Sequence, residues 1–204
     1  MSPPVSPRKP KGSGFERREE ILAASLRLFG ERGVHGVSTR QIAEAVGISQ
    51  PTLYAYFPSK DHIAAELSAR AFAELERRLS GPHFEFSEDG LAAAFRTYID
   101  FGLENPDAYR VAFMIEGAHA AAVAADEAHK PGRGAFDVLR GAIRQMHEMG
   151  MTTTDDPERL AQSLWAGMHG LVSLLIARPQ FPWGEREGLI EAHVRMLARA
   201  ALRP

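Results

Sequence analysis

Length, composition and charge limit the classes of protein to which this chain of 204 residues can belong. With 45% hydrophobic and 25% charged residues it has a globular composition, and its lack of cysteine excludes disulfides and thiolate metal sites. The net charge of −2 is uneven, because residues 1–60 hold nine basic and five acidic residues and the remainder 15 and 21. Chance is one explanation; the other is that only the N-terminal part meets a polyanion.

The chain is predicted to begin with a disordered basic arm, residues 1–14, which is rich in Pro, Ser, Gly and Lys. It has no apolar segment typical of a signal peptide, and the longest apolar stretch, residues 171–177, is far shorter than a bilayer span. We therefore expect a cytoplasmic protein with no membrane partner.

Four helices are predicted after the arm. The first covers residues 16–32. A second begins at Ser38, where Ser-Thr-Arg-Gln fits a capping box, and ends at Gly47. A third begins after Ser49, and the fourth covers residues 59–79.

Residues 81–90 are predicted to form a loop, and the rest of the chain to be helical, with residues 118–130 either helix or mobile loop. The sequence therefore predicts an all-α fold with an N-terminal three-helix domain, residues 15–62, and a C-terminal helical domain, residues 63–204. The remaining predicted helices cover residues 91–104, 106–118, 134–149, 157–177 and 183–202.

Residues 38–60, STRQIAEAVGISQPTLYAYFPSK, have the layout of a helix-turn-helix, in which the start of the second helix meets base edges in the major groove. Arg40 can pair with guanine, Gln50 with adenine, and Pro51 can contact a thymine methyl group. Hydroxyls and a charge suited to phosphate come from Thr39, Thr52, Tyr54, Tyr56 and Lys60.

Packing is the alternative role for the aromatic residues of this motif. We assign Leu53 and Phe57 to the core, and expect Tyr56 to pack its ring while its hydroxyl stays at the surface. Arg40 on an exposed helix is ordinarily only solvated, but its place beside the recognition helix favours a base contact.

The motif also resembles a known family. Residues 16–62 look like the DNA-binding domain of tetracycline-repressor-type regulators, and the pattern from Gly47 to Lys60 is specific because it combines many fixed positions. The resemblance implies that Arg40, Gln50 and Pro51 contact bases. It also implies that the phosphate backbone of the DNA is contacted by Thr39, Thr52, Tyr54, Tyr56 and Lys60.

The last two helices have apolar residues on two sides, which indicates that both sides are covered. Two such helices from each of two chains would form a four-helix dimer interface; the alternative is that both lie in the core of one chain. The candidate interface residues are Trp165, Gly167, Gly170, Leu171, Val172, Val194 and Leu197.

Small-molecule sites are apolar cavities with a few polar groups, so candidate ligand contacts come from the interior aromatic, methionine and histidine residues. Core packing is the alternative for each aromatic, and His169 could simply form a hydrogen bond in the core. The candidates are Phe95, Tyr98, Phe113, Met114, His147, Trp165 and His169.

The C-terminal half resembles one C-terminal class of the same family. Residues 164–176 carry its Trp-x-x-x-His-Gly signature, and residues 104–114 match the start of its short helix. The resemblance implies a helical ligand-binding and dimerisation domain.

An enzyme is disfavoured, because the sequence lacks His-Glu-x-x-His, a Gly-x-Ser-x-Gly elbow, a phosphate loop and a dinucleotide fingerprint. No cofactor or metal is expected. The function expected is that of a homodimeric repressor, released from palindromic operator DNA by a small apolar or aromatic effector. A helical enzyme or binding protein with a vestigial helix-turn-helix is the alternative.

Overall fold

The computed structural model describes residues 13–81, 84–114 and 133–203, and these are almost entirely helical. The expected all-α class is confirmed; within these ranges β-type pairing is limited to an isolated bridge between Thr152 and Leu202. The elements are α1 (Ser13–Arg32), α2 (Thr39–Val46), α3 (Gln50–Tyr56), α4 (Lys60–Leu79), α5 (Glu88–Glu104), α6 (Pro106–Tyr109), a π-helix (Arg110–Met114), α7 (Arg133–Glu148), α8 (Pro157–Ala177) and α9 (Arg186–Ala201).

The two short helices of the motif begin and end where local chemistry predicts. Ser38 caps α2 and forms the reciprocal capping box with Gln41, and Gly47 ends the helix at φ 70°, a left-handed conformation that suits glycine. Ser49 caps α3 by accepting a hydrogen bond from the Thr52 amide, with a proline in the first turn. The predicted helix-turn-helix is therefore confirmed in its elements.

Other helix boundaries differ from the predictions by a few residues. Helix α1 begins at Ser13, inside the segment predicted to be a disordered arm. Helix α5 begins at Glu88 because Ser87 caps it, so the predicted loop 81–90 is too long. Helix α9 begins only at Arg186, after the cap formed by Glu185. Most of the predicted arm and the segment 118–132 lie outside the described residues.

The chain divides into two compact units. Among described residues, the N-terminal unit contains residues 13–71 and 107–114, and the C-terminal unit residues 72–81, 84–106 and 133–203. The division falls within α4, nine residues beyond the predicted boundary at 62, and it places α6 and the π-helix with the helix-turn-helix.

A single core holds the N-terminal unit together. Side chains from α1, α2, α3 and α4 meet in it, and Val111 of the π-helix is fully buried in the same cluster. Burying apolar side chains of this size stabilises by about 1.5–3 kcal/mol each. Large fully buried members include Ile21, Phe29, Ile42, Leu53 and Ile63.

Helix α8 is the central helix of the C-terminal unit and packs against α5, α7 and α9. Its length and apolar composition meet the requirement for a bilayer span, which the short apolar stretch at 171–177 did not suggest. Core helices of water-soluble proteins meet the same requirement. Helices α5 and α9 are joined by ion pairs of Arg195 with Asp89 and of Arg199 with Glu88.

Candidate nucleic-acid interface

The predicted base-reading residues are all exposed on α2 and α3. Arg40, Gln50 and Pro51 are exposed, and Gln50 and Pro51 occupy the first turn of α3, which is the part of a recognition helix that enters the major groove. Of the residues predicted to contact the DNA backbone, Thr52 and Tyr54 are exposed, while Thr39, Tyr56 and Lys60 are half-buried.

Three polar side chains link the start of α2 to the recognition helix. The Gln50 Nε2 donates to Thr39 Oγ1 at 2.8 Å and lies 3.5 Å from the Tyr54 hydroxyl. The hydroxyls of Thr39 and Tyr54 are 3.2 Å apart. This cluster, Thr39–Gln50–Tyr54, fixes the Gln50 amide relative to both helices.

Arg40 is held along its own helix. Its Nε donates to Glu44 Oε1 at 2.9 Å, one turn further on, and this hydrogen bond raises the pKa of Arg40. The side chain is nevertheless 79% exposed, so its remaining guanidinium donors face solvent. Thr52 pairs its hydroxyl with that of Ser49 at 2.7 Å.

Lys60 has a structural contact that the sequence did not indicate. Its ammonium donates to the carbonyl oxygens of Val34 at 2.8 Å and Val37 at 3.1 Å, in the connection between α1 and α2. Only one of its three donors is left for a phosphate. Tyr56 packs partly against the core, as predicted.

Sequence reasoning missed two arginines of α1 that hold the helix-turn-helix. Arg17 donates to the carbonyl oxygen of Val46, the last residue of α2, at 3.3 Å. Arg18 lies over the ring of Phe57, 4.7 Å from its centroid, and its two terminal nitrogens, Nη1 and Nη2, donate to the carboxylate of Glu66 in α4. Both arginines appeared in the sequence only as part of a positive charge count, because nothing local identifies partners so distant in the chain.

The candidate effector residues do not all belong to one unit. Phe113 and Met114 lie in the N-terminal unit, where Phe113 stacks on Tyr109 with 4.6 Å between ring centroids. The other five belong to the C-terminal unit. Of these, Phe95 and Tyr98 are buried in its core.

Trp165 and His169 form a half-buried aromatic cluster with Phe136 of α7. Ring centroids lie 5.9 Å apart for Trp165 and Phe136, and 5.6 Å apart for Trp165 and His169. Burial lowers the pKa of His169, and Ser173 Oγ lies 3.2 Å from its Nε2. The imidazole is therefore neutral near pH 7 and offers a hydrogen bond rather than a charge.

His147 has a structural partner instead. Its Nδ1 lies 2.9 Å from the hydroxyl of buried Thr152, which donates in turn to the Thr154 carbonyl at 3.0 Å. These bonds fix the turn between α7 and α8.

The candidate dimer residues divide between core and surface. Val172 and Val194 are only 0% and 1% exposed, and Leu171 is also buried, so their side chains serve the core of the C-terminal unit rather than an interface. The stripe of α8 that faces this core also contains Ala161, Leu164 and Met168.

The surface of α8 and α9 presents a different apolar set. Leu174 and Met196 are 49% and 56% exposed, and nothing lies within 4 Å of a Cβ built on Gly170. Gly167 contacts Leu197 within the chain and accepts a hydrogen bond on its carbonyl from His193 at 3.1 Å. Trp165 and Leu197 are half-buried.

Two family models match the chain. Residues 21–67 match the bacterial regulatory proteins of the tetR family, and residues 91–197 match the tetracyclin repressor-like C-terminal domain. Together the two matches cover the helix-turn-helix and most of the helices of the C-terminal unit.

Individual proteins give the same result. The chain is 32% identical to the HTH-type transcriptional regulator RutR of Escherichia coli over 158 residues, covering 74% of this chain and 71% of RutR. It is 33% identical over 105 residues to the nucleoid occlusion factor SlmA of Haemophilus ducreyi, which is 50% of this chain and only about half, 52%, of SlmA.

Among solved structures, AibR in complex with isovaleryl coenzyme A and operator DNA has the same fold. Its TM-score is 0.67 at 20% identity, with 91% of this chain and 100% of that chain covered. The matches of both family models and of RutR, over most of its length, show that this chain belongs to the TetR family of bacterial regulatory proteins.

Proposed function

We propose that this protein is a homodimeric transcriptional repressor of the cytoplasm that binds a palindromic operator and leaves it when a small molecule binds the C-terminal unit. One observation carries the proposal: Gln50 and Pro51 stand exposed at the start of a recognition helix whose other side is locked into a buried core. Such rigid presentation suits the recognition of base edges.

The proposed DNA contacts divide by chemistry. Arg40, Gln50 and Pro51 contact bases, because guanidinium and amide groups match base edges and the proline ring matches a thymine methyl group. Sequence-independent contacts to phosphate come from Thr52, Tyr54, Tyr56 and Lys60, while Thr39, predicted from the sequence as a further phosphate contact, is half-buried and bonded to Gln50.

A dimer follows from the geometry of DNA. Two recognition helices enter successive major grooves when they are about 34–36 Å apart, and a two-fold interface fixes that distance. We propose that the interface is the exposed apolar surface of α8 and α9 that includes Gly170, Leu174 and Met196.

The effector is proposed to be a small apolar or aromatic compound that contacts the Phe136–Trp165–His169 cluster. An effector causes release only if it binds the DNA-incompetent arrangement more tightly. Helix α4 is the natural lever, because it is continuous from Lys60 to Leu79 while the division between the two units falls inside it. That AibR has been solved with both a coenzyme A ester and operator DNA supports an effector-responsive mechanism in this family.

The test is selection of random double-stranded DNA by the purified full chain, followed by sequencing of the bound pool. We expect a palindrome with half-sites one helical turn apart. Gln50→Ala should remove the preference at one position of each half-site and weaken specific binding by about 1–3 kcal/mol.

Glu31→Ala on α1 is the matched control for that variant, since it alters an exposed residue outside α2 and α3. Enrichment of no sequence by the unaltered protein would contradict DNA recognition. Enrichment of the same sequence by Gln50→Ala would contradict the role of Gln50 alone.

A further inference from the structure

We propose that Thr39 is a positioning residue for base recognition: its hydroxyl orients the Gln50 amide and passes a hydrogen bond on to Tyr54, so that phosphate binding and base reading are coupled. This inference rests on the proposed DNA-binding function and adds to it a specificity determinant that does not itself touch a base.

The geometry of the cluster supplies the first step. Of the two Gln50 N–H groups, one is used in the 2.8 Å bond to Thr39 Oγ1. Nε2 also makes a longer contact, 3.5 Å, with the Tyr54 hydroxyl. A base edge can displace this weaker contact, which leaves one N–H and the carbonyl oxygen Oε1 for the base; within the described part of the chain, Oε1 accepts no hydrogen bond. Adenine requires one amide donor for its N7 and one acceptor for its N6 amino group, which is this pair.

Hydroxyl chemistry supplies the second step. Thr39 has a single hydroxyl hydrogen, and because it accepts from Gln50 it can donate that hydrogen to the Tyr54 oxygen 3.2 Å away. The Tyr54 hydrogen then points outward. A phosphate oxygen only accepts hydrogen bonds, so the outermost hydroxyl in this series of hydrogen bonds must be the donor.

Burial identifies which hydroxyl is outermost. Tyr54 is 47% exposed, whereas Thr39, the first residue of α2, is half-buried beside the recognition helix. Thr39 is therefore the inner member that joins Gln50 to Tyr54, and Tyr54 is the member that meets the backbone.

The direction of the hydrogen bonds couples the two contacts. If the Gln50 amide turned over, Oε1 would face Thr39 and would require its hydrogen, and Tyr54 would then have to donate inward. A phosphate that takes the Tyr54 hydrogen excludes that arrangement. Phosphate binding thus selects the amide orientation that matches adenine, and chains of this kind strengthen each bond cooperatively.

The experiment begins with the operator selected by the unaltered protein, and the position read by Gln50 is the one whose preference Gln50→Ala loses. If the unaltered protein selected no operator, that result would contradict the proposed function itself. Affinities of Thr39→Val, Thr39→Ser and Tyr54→Phe are then measured for this operator, for its three substitutions at that position, and for random duplex DNA.

We expect Thr39→Val to lose about tenfold in discrimination at that position while its affinity for random duplex DNA stays unchanged. Thr39→Ser keeps the hydroxyl and should restore discrimination. Tyr54→Phe loses a hydroxyl that donates to phosphate, so it should weaken binding to operator and random DNA alike, and it should also weaken discrimination. Thr39→Ala gives a second hydroxyl-free variant if the valine variant folds poorly, as checked by its urea midpoint.

Two results would overturn the inference. A reduced affinity for random duplex DNA with intact discrimination in Thr39→Val would make Thr39 a plain phosphate contact. No change in either quantity would mean that the cluster does not participate in recognition.

Discussion

At the scale of single residues, the basic side chains of the N-terminal unit have two kinds of role. Arg17, Arg18 and Lys60 are engaged in holding α1, the helix-turn-helix and α4 together. Arg40 carries a guanidinium that solvent, and hence DNA, can reach. A positive charge count at the sequence level therefore overstates the charge available to phosphate.

Lys60→Met should lower the free energy of unfolding by about 1.5–3 kcal/mol, because two backbone carbonyl groups lose a charged donor. The measurement is the urea midpoint, alongside the salt slope of DNA binding. Arg32→Met is the control, since Arg32 is exposed in the same unit. An unchanged midpoint with a reduced salt slope would show that Lys60 serves phosphate only.

His169 should contribute a pH dependence of known sign. Burial lowers its pKa in the folded state below the ordinary value of 6.5, so in acid the unfolded chain binds the proton first. The contribution of neutral His169 to the free energy of unfolding is therefore complete above pH 6.5. It falls as the pH is lowered through that value and becomes constant below the pKa of the folded state.

The check compares urea midpoints of the unaltered protein and His169→Gln at about pH 7.5 and 5.5. The variant should lose less stability on acidification, whereas His35→Gln, at an exposed position, should match the unaltered protein. Equal losses in the unaltered protein and His169→Gln would count against a neutral, desolvated imidazole.

At the scale of elements, α4 and the π-helix connect the two parts of the chain. Helix α4 is unbroken across the division between the units, and the chain returns through α6 and the π-helix to bury Val111 in the N-terminal core. A π-helix widens the turn locally, and such segments occur frequently at functional sites. Stiffness of α4 is what the proposed lever requires.

The double variant Ala69→Gly and Ala73→Gly, at exposed positions that flank the division in α4, should uncouple the unfolding of the two units. Each change weakens a helix by about 1 kcal/mol. Both tryptophans, Trp165 and Trp183, belong to the C-terminal unit, so fluorescence follows that unit while circular dichroism follows the whole chain.

The two signals should give coincident urea transitions in the unaltered protein and separate ones in the double variant. Ala93→Gly in α5, also exposed, is the control and should keep them coincident. Coincidence in the double variant would show that α4 is not what couples the units.

At the scale of the whole molecule, the burial pattern of α8 and α9 relocates the proposed dimer surface. A charge at Val172 or Val194 would be buried unpaired in the core and would unfold the C-terminal unit instead of separating subunits. The surface apolar residues are the ones that a second copy can reach.

Leu174→Glu and Met196→Glu should each yield folded monomers with weakened operator binding, because two linked half-site contacts become independent. Sedimentation velocity measures the oligomeric state, and circular dichroism confirms folding. Met149→Glu changes a methionine of equal exposure, 56%, outside α8 and α9 and should stay dimeric. Dimers from both test variants would place the interface elsewhere.

Local chemistry in the sequence was sufficient to predict the helix-turn-helix and the first and last residues of α8. Caps, proline in a first turn and glycine at a left-handed position act within a few residues, so Ser38, Gly47, Ser49 and the range 157–177 could be identified correctly. The family could also be recognised, because its motif lies almost wholly in that local pattern.

Contacts between distant residues depended on the tertiary structure. Packing between elements decides which apolar stripe of α8 faces the core and how Arg18 meets Phe57 and Glu66. A sequence shows that a helix has two apolar sides, but only the positions of its neighbours decide which side they cover.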